Sequence, residues 1–535
     1  MEHLPFPLEV YPPAIKGERQ SIEFQGRFTK RLFEDFWDFS IDNASTALEE
    51  KESTYWEQKG VERALELFHA AAERVPAYKD FLKKQDIKPA LIQTSADFKK
   101  IPTINKKNYL QLYPMEALLW DGQLSDAQII AVSSGSSGEP FFWPRGGLLE
   151  LETTYVQELY LKKIFHIDQY TTLYLDCFAM GMYIAGPIIL NSALRISQKG
   201  YPMTVLTPGL SMDDIMRVIP NLGPHFEQIV IAGYPPYVKD IIEEAAKRGV
   251  QWHNYKVRLL LAGEGFSEQW RDHVAELAGG INVHDSIINI YGTADASIVG
   301  HETPESVTIR RLADQNEQLR TKLFNDRYQG RLPTFVQYLP TQKYFEVIDH
   351  ELHFTATSGI PLVRYNIHDD GGIVTYKEAI NFCEESDTDI TKILKEKASG
   401  TPFWKLPFVY LYGRSDFTVV LYGANIYPEN IKAALESEEI RKLVTGRFIM
   451  TIEHQDNQDP YLFLRIELTA NIAPKAALQK KIQAAMISTL LAKNDEYRST
   501  YHAKGKQAWP VIELYEKGNG EYFSRNRNKQ QWTKK

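Results

Sequence analysis

The run Val132-Ser-Ser-Gly-Ser-Ser-Gly-Glu-Pro140 is built to meet an anion. Ser133, Ser134, Gly135, Ser136, Ser137 and Gly138 are six consecutive small residues, four with hydroxyls and two without side chains. Glycine reaches the positive φ angles that let successive backbone N–H groups wrap a phosphate, and serine hydroxyls add donors. It is not a Walker loop. That motif needs Gly-Lys-Ser/Thr opening a helix, whereas Glu139 and Pro140 follow Gly138. The same composition also describes a flexible linker. The flanks argue against one: Ala127-Gln-Ile-Ile-Ala-Val132 reads as a strand entering a core, and Phe141-Phe-Trp-Pro-Arg145 as the strand returning.

The elements that must hold such a loop follow in order. Val61, Ala64, Leu65, Phe68, Ala72 and Val75 fall at helical spacing, and Pro76 stops the run. Leu148 to Phe165 reads as a helix and Thr171-Thr-Leu-Tyr-Leu175 as a buried strand. A second βα unit spans Gly200 to Val218, and a third runs from Gln228-Ile-Val-Ile-Ala-Gly233 into a helix over Tyr237 to Arg248. Val257-Arg-Leu-Leu-Leu-Ala262 is a fourth strand. Strands alternating with helices predict a parallel-rich sheet covered on both faces, with ligands at the carboxyl ends of its strands. Three strands end in glycine-containing loops, at Ser133–Gly138, Gly233-Tyr-Pro-Pro236 and Gly263-Glu-Gly265. The apolar stretch from Phe178 to Ala185, with Met180 and Tyr183, and Tyr234 on the neighbouring loop, would border the same space and suit an apolar substrate group; plain core is an equal reading.

The bulk composition narrows the field. A chain of 535 residues exceeds one ordinary core, and 43% hydrophobic with 24% charged residues is globular. A net charge of -8 disfavours nucleic-acid and anionic-membrane partners. Two cysteines, Cys177 and Cys383, give no disulfide framework and suit a reducing compartment. No apolar run is long enough to span a membrane, and the first residues lack the pattern of a signal peptide, so the expected location is the cytoplasm.

Read with its closing Gly-x-Pro, the Ser/Gly run resembles the phosphate loop of the adenylate-forming enzymes, and within them the phenylacetate–CoA ligase branch. The helix ending at Val75-Pro76, then Ala77-Tyr-Lys-Asp-Phe81 and Asp97-Phe-Lys-Lys-Ile-Pro-Thr103, resembles the opening of those ligases. The resemblance covers roughly residues 60 to 529 and implies an α/β fold in two parts. A large N-terminal domain would span 1–413, with an N-terminal extension (1–55) and insertions at 303–345 and 376–405 expected as solvated decoration. A small mobile α+β domain would span 414–535, its strands including Phe408 to Leu411, Val419 to Tyr422 and Pro460 to Leu468. Ile290-Tyr-Gly-Thr-Ala-Asp295 looks like the family's Tyr-Gly-x-Thr/Ser-Glu motif, so Tyr291 would pack on adenine, Gly292 and Thr293 would line the nucleotide and Asp295 would hold Mg²⁺. Ala294 departs from the usual hydroxyl. Gly263 and Glu264 would lie on the adenine side. Val363-Arg-Tyr-Asn-Ile-His-Asp-Asp370 places Asp369 at the ribose-binding acid, with a slip to Asp370 open and His368 read as a local hydrogen-bond partner. Tyr412-Gly-Arg-Ser-Asp416 with Gly423-Ala-Asn-Ile-Tyr-Pro-Glu429 matches the interdomain hinge, which makes Arg414 a ribose or phosphate ligand and Asp416 the pivot. Lys529 fits best as the lysine that supports adenylation. The implied activity uses ATP and Mg²⁺ to turn a small carboxylic acid into an acyl-adenylate and passes the acyl group to coenzyme A. Transfer to a carrier protein, protein side chain or amine, and a nucleotide-binding relative without turnover, stay open.

Overall fold

The computed structural model describes residues 40–124, 127–133, 141–181, 184–325, 332–386, 388–398, 400–414, 418–518 and 522–523. The strands β1 (Ala127–Ser133) and β2 (Phe141–Gly146) form an antiparallel hairpin of their own. This confirms both flanks of the small-residue run, although Ile130 and Phe142 stand about half exposed.

Five strands follow: β3 (Thr172–Asp176), β4 (Met203–Leu206), β5 (Gln228–Gly233), β6 (Lys256–Ala262) and β7 (Ile287–Thr293). They pair in parallel, in the order β4-β3-β5-β6-β7. Period-two alternation divides each strand between two cores. Leu173, Leu175, Ile229, Ile231, Leu259 and Leu261 face one cluster with the helices Met212–Leu222, Pro235–Lys247 and Glu268–Leu277. Tyr174, Val230, Ala232 and Leu260 face the other, with the helices Gly147–Lys163 and Ala185–Ser197. Burying each such valine, leucine or isoleucine stabilises the fold by about 1.5–3 kcal/mol, and a shift of one residue in register would exchange the two faces and spoil the packing of both cores.

The sheet continues antiparallel through β8 (Ser297–His301), β9 (Thr334–Gln337), β10 (Lys343–Ile348), β11 (Glu351–Ala356), β12 (Leu362–Val374) and β13 (Phe408–Arg414). The full order of eleven strands is β10-β11-β12-β13-β9-β8-β7-β6-β5-β3-β4. The strand Phe408–Leu411 therefore belongs to the large sheet, between β12 and β9, and not to the C-terminal unit. Residues 303–345 and 376–405 are also more than solvated decoration. The helices Pro304–Gln315, Glu317–Phe324, Tyr376–Glu384 and Ile390–Lys397 bury Ile309, Ala313, Leu323, Ala379, Cys383 and Leu394 against Phe335 and Phe408.

At the N-terminal side, helix Ser53–Arg74 carries the expected apolar face. Pro76 both ends it and opens the next helix, Pro76–Lys84, because its fixed φ and missing N–H suit a first turn. The C-terminal unit holds the hairpin β14 (Val419–Leu421) and β15 (Ala424–Ile426), and a sheet of β16 (Val444–His454), β17 (Pro460–Leu468) and β18 (Val511–Tyr515). Helices Pro428–Leu435, Ala476–Lys493 and Asp495–Lys504 cover them. Its core is drawn from its own residues, among them Ile431, Phe448, Leu464, Met486 and Ile512. Among the described residues no helix is long and apolar enough to cross a membrane.

Candidate active site

The carboxyl ends of β3, β5, β6 and β7 open into one cavity of about 1010 Å³. Ser133, Phe178, Tyr234, Gly263, Glu264, Tyr291, Gly292, Thr293, Asp295 and Asp369 all line it. Residues up to 236 positions apart in sequence, from Ser133 to Asp369, are thereby gathered by strand order alone. Met180 is not in the wall; its side chain packs beside Gly186 and Gly209. Ser134–Gly138, Tyr183, Asp416 and Lys529 lie outside the described residues.

The hairpin β1–β2 brings its last described residue, Ser133, to the cavity, where its Oγ accepts from the Trp143 indole N–H at 3.0 Å. Trp143 is fully buried, so the mouth of the loop is fixed to the core on one side. Across the cavity, the Tyr291 hydroxyl on β7 donates to Asp369 Oδ2 on β12 at 2.5 Å. Both residues are about 5% exposed, and a hydrogen bond to a carboxylate in such a place is of the stronger kind. Asp370 also lines the cavity, and Asp369 and Asp370 stand opposite Arg414 and Gly413 in the β12–β13 ladder. His368 lies outside the wall, with Nδ1 3.4 Å from Glu351, in keeping with a local partner.

The turn between β7 and β8 sets the metal candidate. Thr293 Oγ1 accepts from the Ala296 N–H at 3.0 Å, which holds the turn and leaves the hydroxyl hydrogen able to donate. Asp295 sits within that turn, 5% exposed, and its carbonyl accepts from Ser358 Oγ at 2.8 Å. No cluster of three or more metal-ligating side chains occurs among the described residues. A lone carboxylate at a cavity wall fits Mg²⁺, which keeps waters and takes its other ligands from phosphates; it would not make a closed structural site.

Burial dominates the electrostatics. Desolvation pushes Glu264 up to about 8, while the Gly423 N–H, donating to its Oε1 at 2.5 Å, partly offsets the shift. Asp176, the last residue of β3, is likewise pushed up to about 8 by desolvation. Seven acids line the cavity (Glu264, Glu268, Asp295, Asp314, Asp369, Asp370 and Glu496) against two described lysine or arginine side chains, Lys106 and Arg310, and one imidazole, His454. Arg310 is committed to Glu268 and to the carbonyls of Pro333 and Phe266. Lys106, whose ammonium lies 5.7 Å from the Trp143 ring centroid, is thus the described cation placed beside the hairpin β1–β2. Sequence reasoning passed over it, because a lysine in Asn105-Lys-Lys-Asn108 carries no local signal. It also passed over Tyr422 and Glu496, which reach the cavity from the C-terminal unit.

This is the fold of the adenylate-forming enzymes, with the large mixed sheet followed by a small α+β unit. A 2-hydroxyisobutyryl-CoA ligase, solved with 2-HIB-AMP and CoA in its thioesterification state, superposes with a TM-score of 0.61 at 16% identity over 91% of each chain. The same enzyme in its postadenylation state gives 0.52 at 15% identity over 91% of each chain. In sequence, the chain is similar to the phenylacetate-coenzyme A ligase of Thermus thermophilus, 22% identical over 381 residues, or 70% of this chain and 74% of that one. No protein-family model matches.

Proposed function

We propose that this protein is a cytoplasmic, AMP-forming acid–thiol ligase. It activates a small carboxylic acid with Mg-ATP and transfers the acyl group to coenzyme A. The observation that carries this reading is the meeting of Tyr291–Asp369, Glu264, Asp295 and Ser133 in one cavity at the ends of parallel strands. In the first step a substrate carboxylate oxygen bonds to the α-phosphorus and the bond to pyrophosphate breaks. In the second the thiol sulfur bonds to the acyl carbon, its proton leaves, and AMP departs.

Each residue has a part suited to its chemistry. Asp369 accepts from ribose hydroxyls while Tyr291, its hydroxyl already engaged, offers its ring to the adenine. Gly263 and Glu264 border the base, and Ser133 with Ser134–Gly138 cradles the phosphates. Lys106, Arg414 and Lys529 supply the positive charge that an acidic cavity otherwise lacks. Asp295 would hold Mg²⁺, which neutralises phosphate charge when bound. Phe178 and Tyr234, with rings meeting edge to face at 5.0 Å, form the apolar wall for the acid. The junction at Arg414–Asp416 is read as the hinge between a large domain (1–413) and a small one (414–535).

The test is pyrophosphate release from Mg-ATP across aryl, arylacetic, short and long fatty, and amino acids, each with and without coenzyme A. Release with one class, increased by coenzyme A, is expected. Release that coenzyme A leaves unchanged transfers the second step to a carrier protein or amine. Silence across the panel, with ATP bound, refutes the ligase reading.

A further inference from the structure

The turn that carries Asp295 is held from behind by two tethers, and both lead to neighbouring residues of helix Gly147–Lys163. The first is direct. Thr153 Oγ1 donates to the Leu149 carbonyl at 2.6 Å, so its one proton is committed and Ser297 Oγ is the donor in the 2.8 Å contact between the two hydroxyls. The second runs through the loop that follows β11. Glu152 Oε1 accepts from Thr357 Oγ1 at 2.7 Å, and the next residue, Ser358, donates its hydroxyl to the Asp295 carbonyl at 2.8 Å. The Trp120 indole N–H donates to the Ser358 carbonyl at 3.4 Å and steadies the same loop. Glu152 is fixed in turn by Lys343 at 3.3 Å and Arg63 at 3.8 Å. Glu152, Thr153 and Thr357 are at most 2% exposed, and none of them lines the cavity, whereas Asp295 and Ser297 do.

Burying an acid between two cations is a weak source of stability, because desolvation offsets much of the attraction. The backbone of the turn points to another use. Ser297 stands at φ +64, in the left-handed region that few residues other than glycine adopt. Such a conformation persists only where the surroundings over-determine it. Both tethers act on the Ser297 hydroxyl and the Asp295 backbone carbonyl, so neither consumes the Asp295 carboxylate. That is the arrangement a loop carboxylate needs to meet Mg²⁺, which demands near-ideal octahedral geometry and tolerates little play in its ligands.

We propose that Glu152 and Thr153 are positioning residues that set where the Asp295 carboxylate meets a divalent cation, Thr153 through Ser297 and Glu152 through Thr357 and Ser358. The inference rests on the reading of Asp295 as the Mg²⁺ ligand. Neither residue touches the cation or the nucleotide; each acts through the turn.

The test uses the full-length protein. The first readout is the dissociation constant of Mn²⁺, a paramagnetic stand-in for Mg²⁺, in the complex with ATP and no carboxylic acid, so the result does not depend on turnover. The second is the KM for Mg²⁺ against kcat in pyrophosphate release, and the third is the urea midpoint. Thr153→Val and Thr357→Val are each expected to weaken Mn²⁺ binding about tenfold, the lower end of what losing an outer hydrogen bond to a metal ligand costs. Each should also raise the KM for Mg²⁺ by more than it lowers kcat. Thr153→Ser keeps the hydroxyl and should restore wild-type affinity. Thr154→Val removes a neighbouring buried hydroxyl, which donates to the Glu150 carbonyl at 2.7 Å. It should lower the midpoint as Thr153→Val does, yet leave Mn²⁺ binding within about twofold of wild type. A tether variant that does not fold is replaced by Ser358→Ala, which removes the donor to the Asp295 carbonyl and carries the same expectation. Unchanged Mn²⁺ affinity in either tether variant, or an equal loss in Thr154→Val, would overturn the proposal. Asp295→Asn separates it from its premise. If that change leaves Mn²⁺ binding intact, the metal reading of Asp295 fails and the inference falls with it; if it abolishes binding while the tether variants bind normally, the inference alone fails.

Discussion

Replacing Asp176 by Asn should flatten the pH dependence of stability by an amount the structure sets. Asp176 closes β3 with no exposure; its Oδ1 accepts from the Phe178 N–H at 3.2 Å, and its buried Oδ2 has no hydrogen-bond partner among the described residues. Desolvation raises its carboxyl from 3.8 to about 8. A folded-state value above the unfolded one means that the native protein holds the proton more tightly. The resulting stability is fully present below about pH 4 and is lost as pH climbs through about 8. One proton over that window is about 1.4 kcal/mol per pH unit. Between pH 5 and pH 8, wild type should therefore lose roughly 4 kcal/mol relative to Asp176→Asn, an order-of-magnitude figure. The assay is urea unfolding of both proteins at pH 5, 6, 7 and 8. Any cost of leaving the amide's own N–H groups without an acceptor is independent of pH and cancels in the slope. Parallel stability–pH curves for the two proteins would refute the reasoning.

Two further substitutions probe the cavity from opposite sides. Tyr291→Phe removes the donor to Asp369 and should raise KM for ATP about tenfold, with a stability loss of about 1–2 kcal/mol; an unchanged KM in the pyrophosphate assay would detach this pair from the nucleotide. Gly423→Ala would bring a Cβ to 2.4 Å from the Tyr234 ring at a residue whose φ is +83. It should loosen the contact between Tyr234 and the C-terminal unit by about 1–3 kcal/mol, seen as faster tryptic cleavage after Arg414, and a wild-type digestion pattern would count against the contact.

Much of this was legible because the parallel half of the sheet is local in its logic. Alternating apolar residues in Leu173–Leu175, Ile229–Ile231 and Leu259–Leu261 announce strands with two buried faces, and their glycine loops mark the cavity rim. Tyr291, Asp369 and Glu264 followed from motifs that the strands carry to one place. The antiparallel half was harder. Phe408–Leu411 reads as a strand by itself, but nothing in those residues says that β12 and β9 are its neighbours. The polar composition around Arg310-Arg-Leu-Ala-Asp-Gln suggested solvent, yet Arg310 is buried because Glu268 and two carbonyls satisfy it. The charges Lys239, Asp240, Asp459 and Lys504, which pair between helix Pro235–Lys247 and the C-terminal unit, were invisible for the same reason: each is an ordinary surface residue until its partner, hundreds of positions away, arrives.

The place of β13 has a consequence for how the chain is made. As synthesis proceeds, β3 to β9 can assemble behind the ribosome, and β10 to β12 can form their own meander, but the two blocks share no strand pairing between β9 and β12. They become one sheet only when residues 408–414 slide between them. Until then both blocks present raw strand edges, the surfaces through which partly made proteins stick to one another. A fragment ending before Phe408 should therefore aggregate rather than persist as a smaller enzyme. The strand that finishes the sheet is also the one that leads into the C-terminal unit, so the last strand of the sheet and the unit that borders the cavity leave the ribosome one directly after the other.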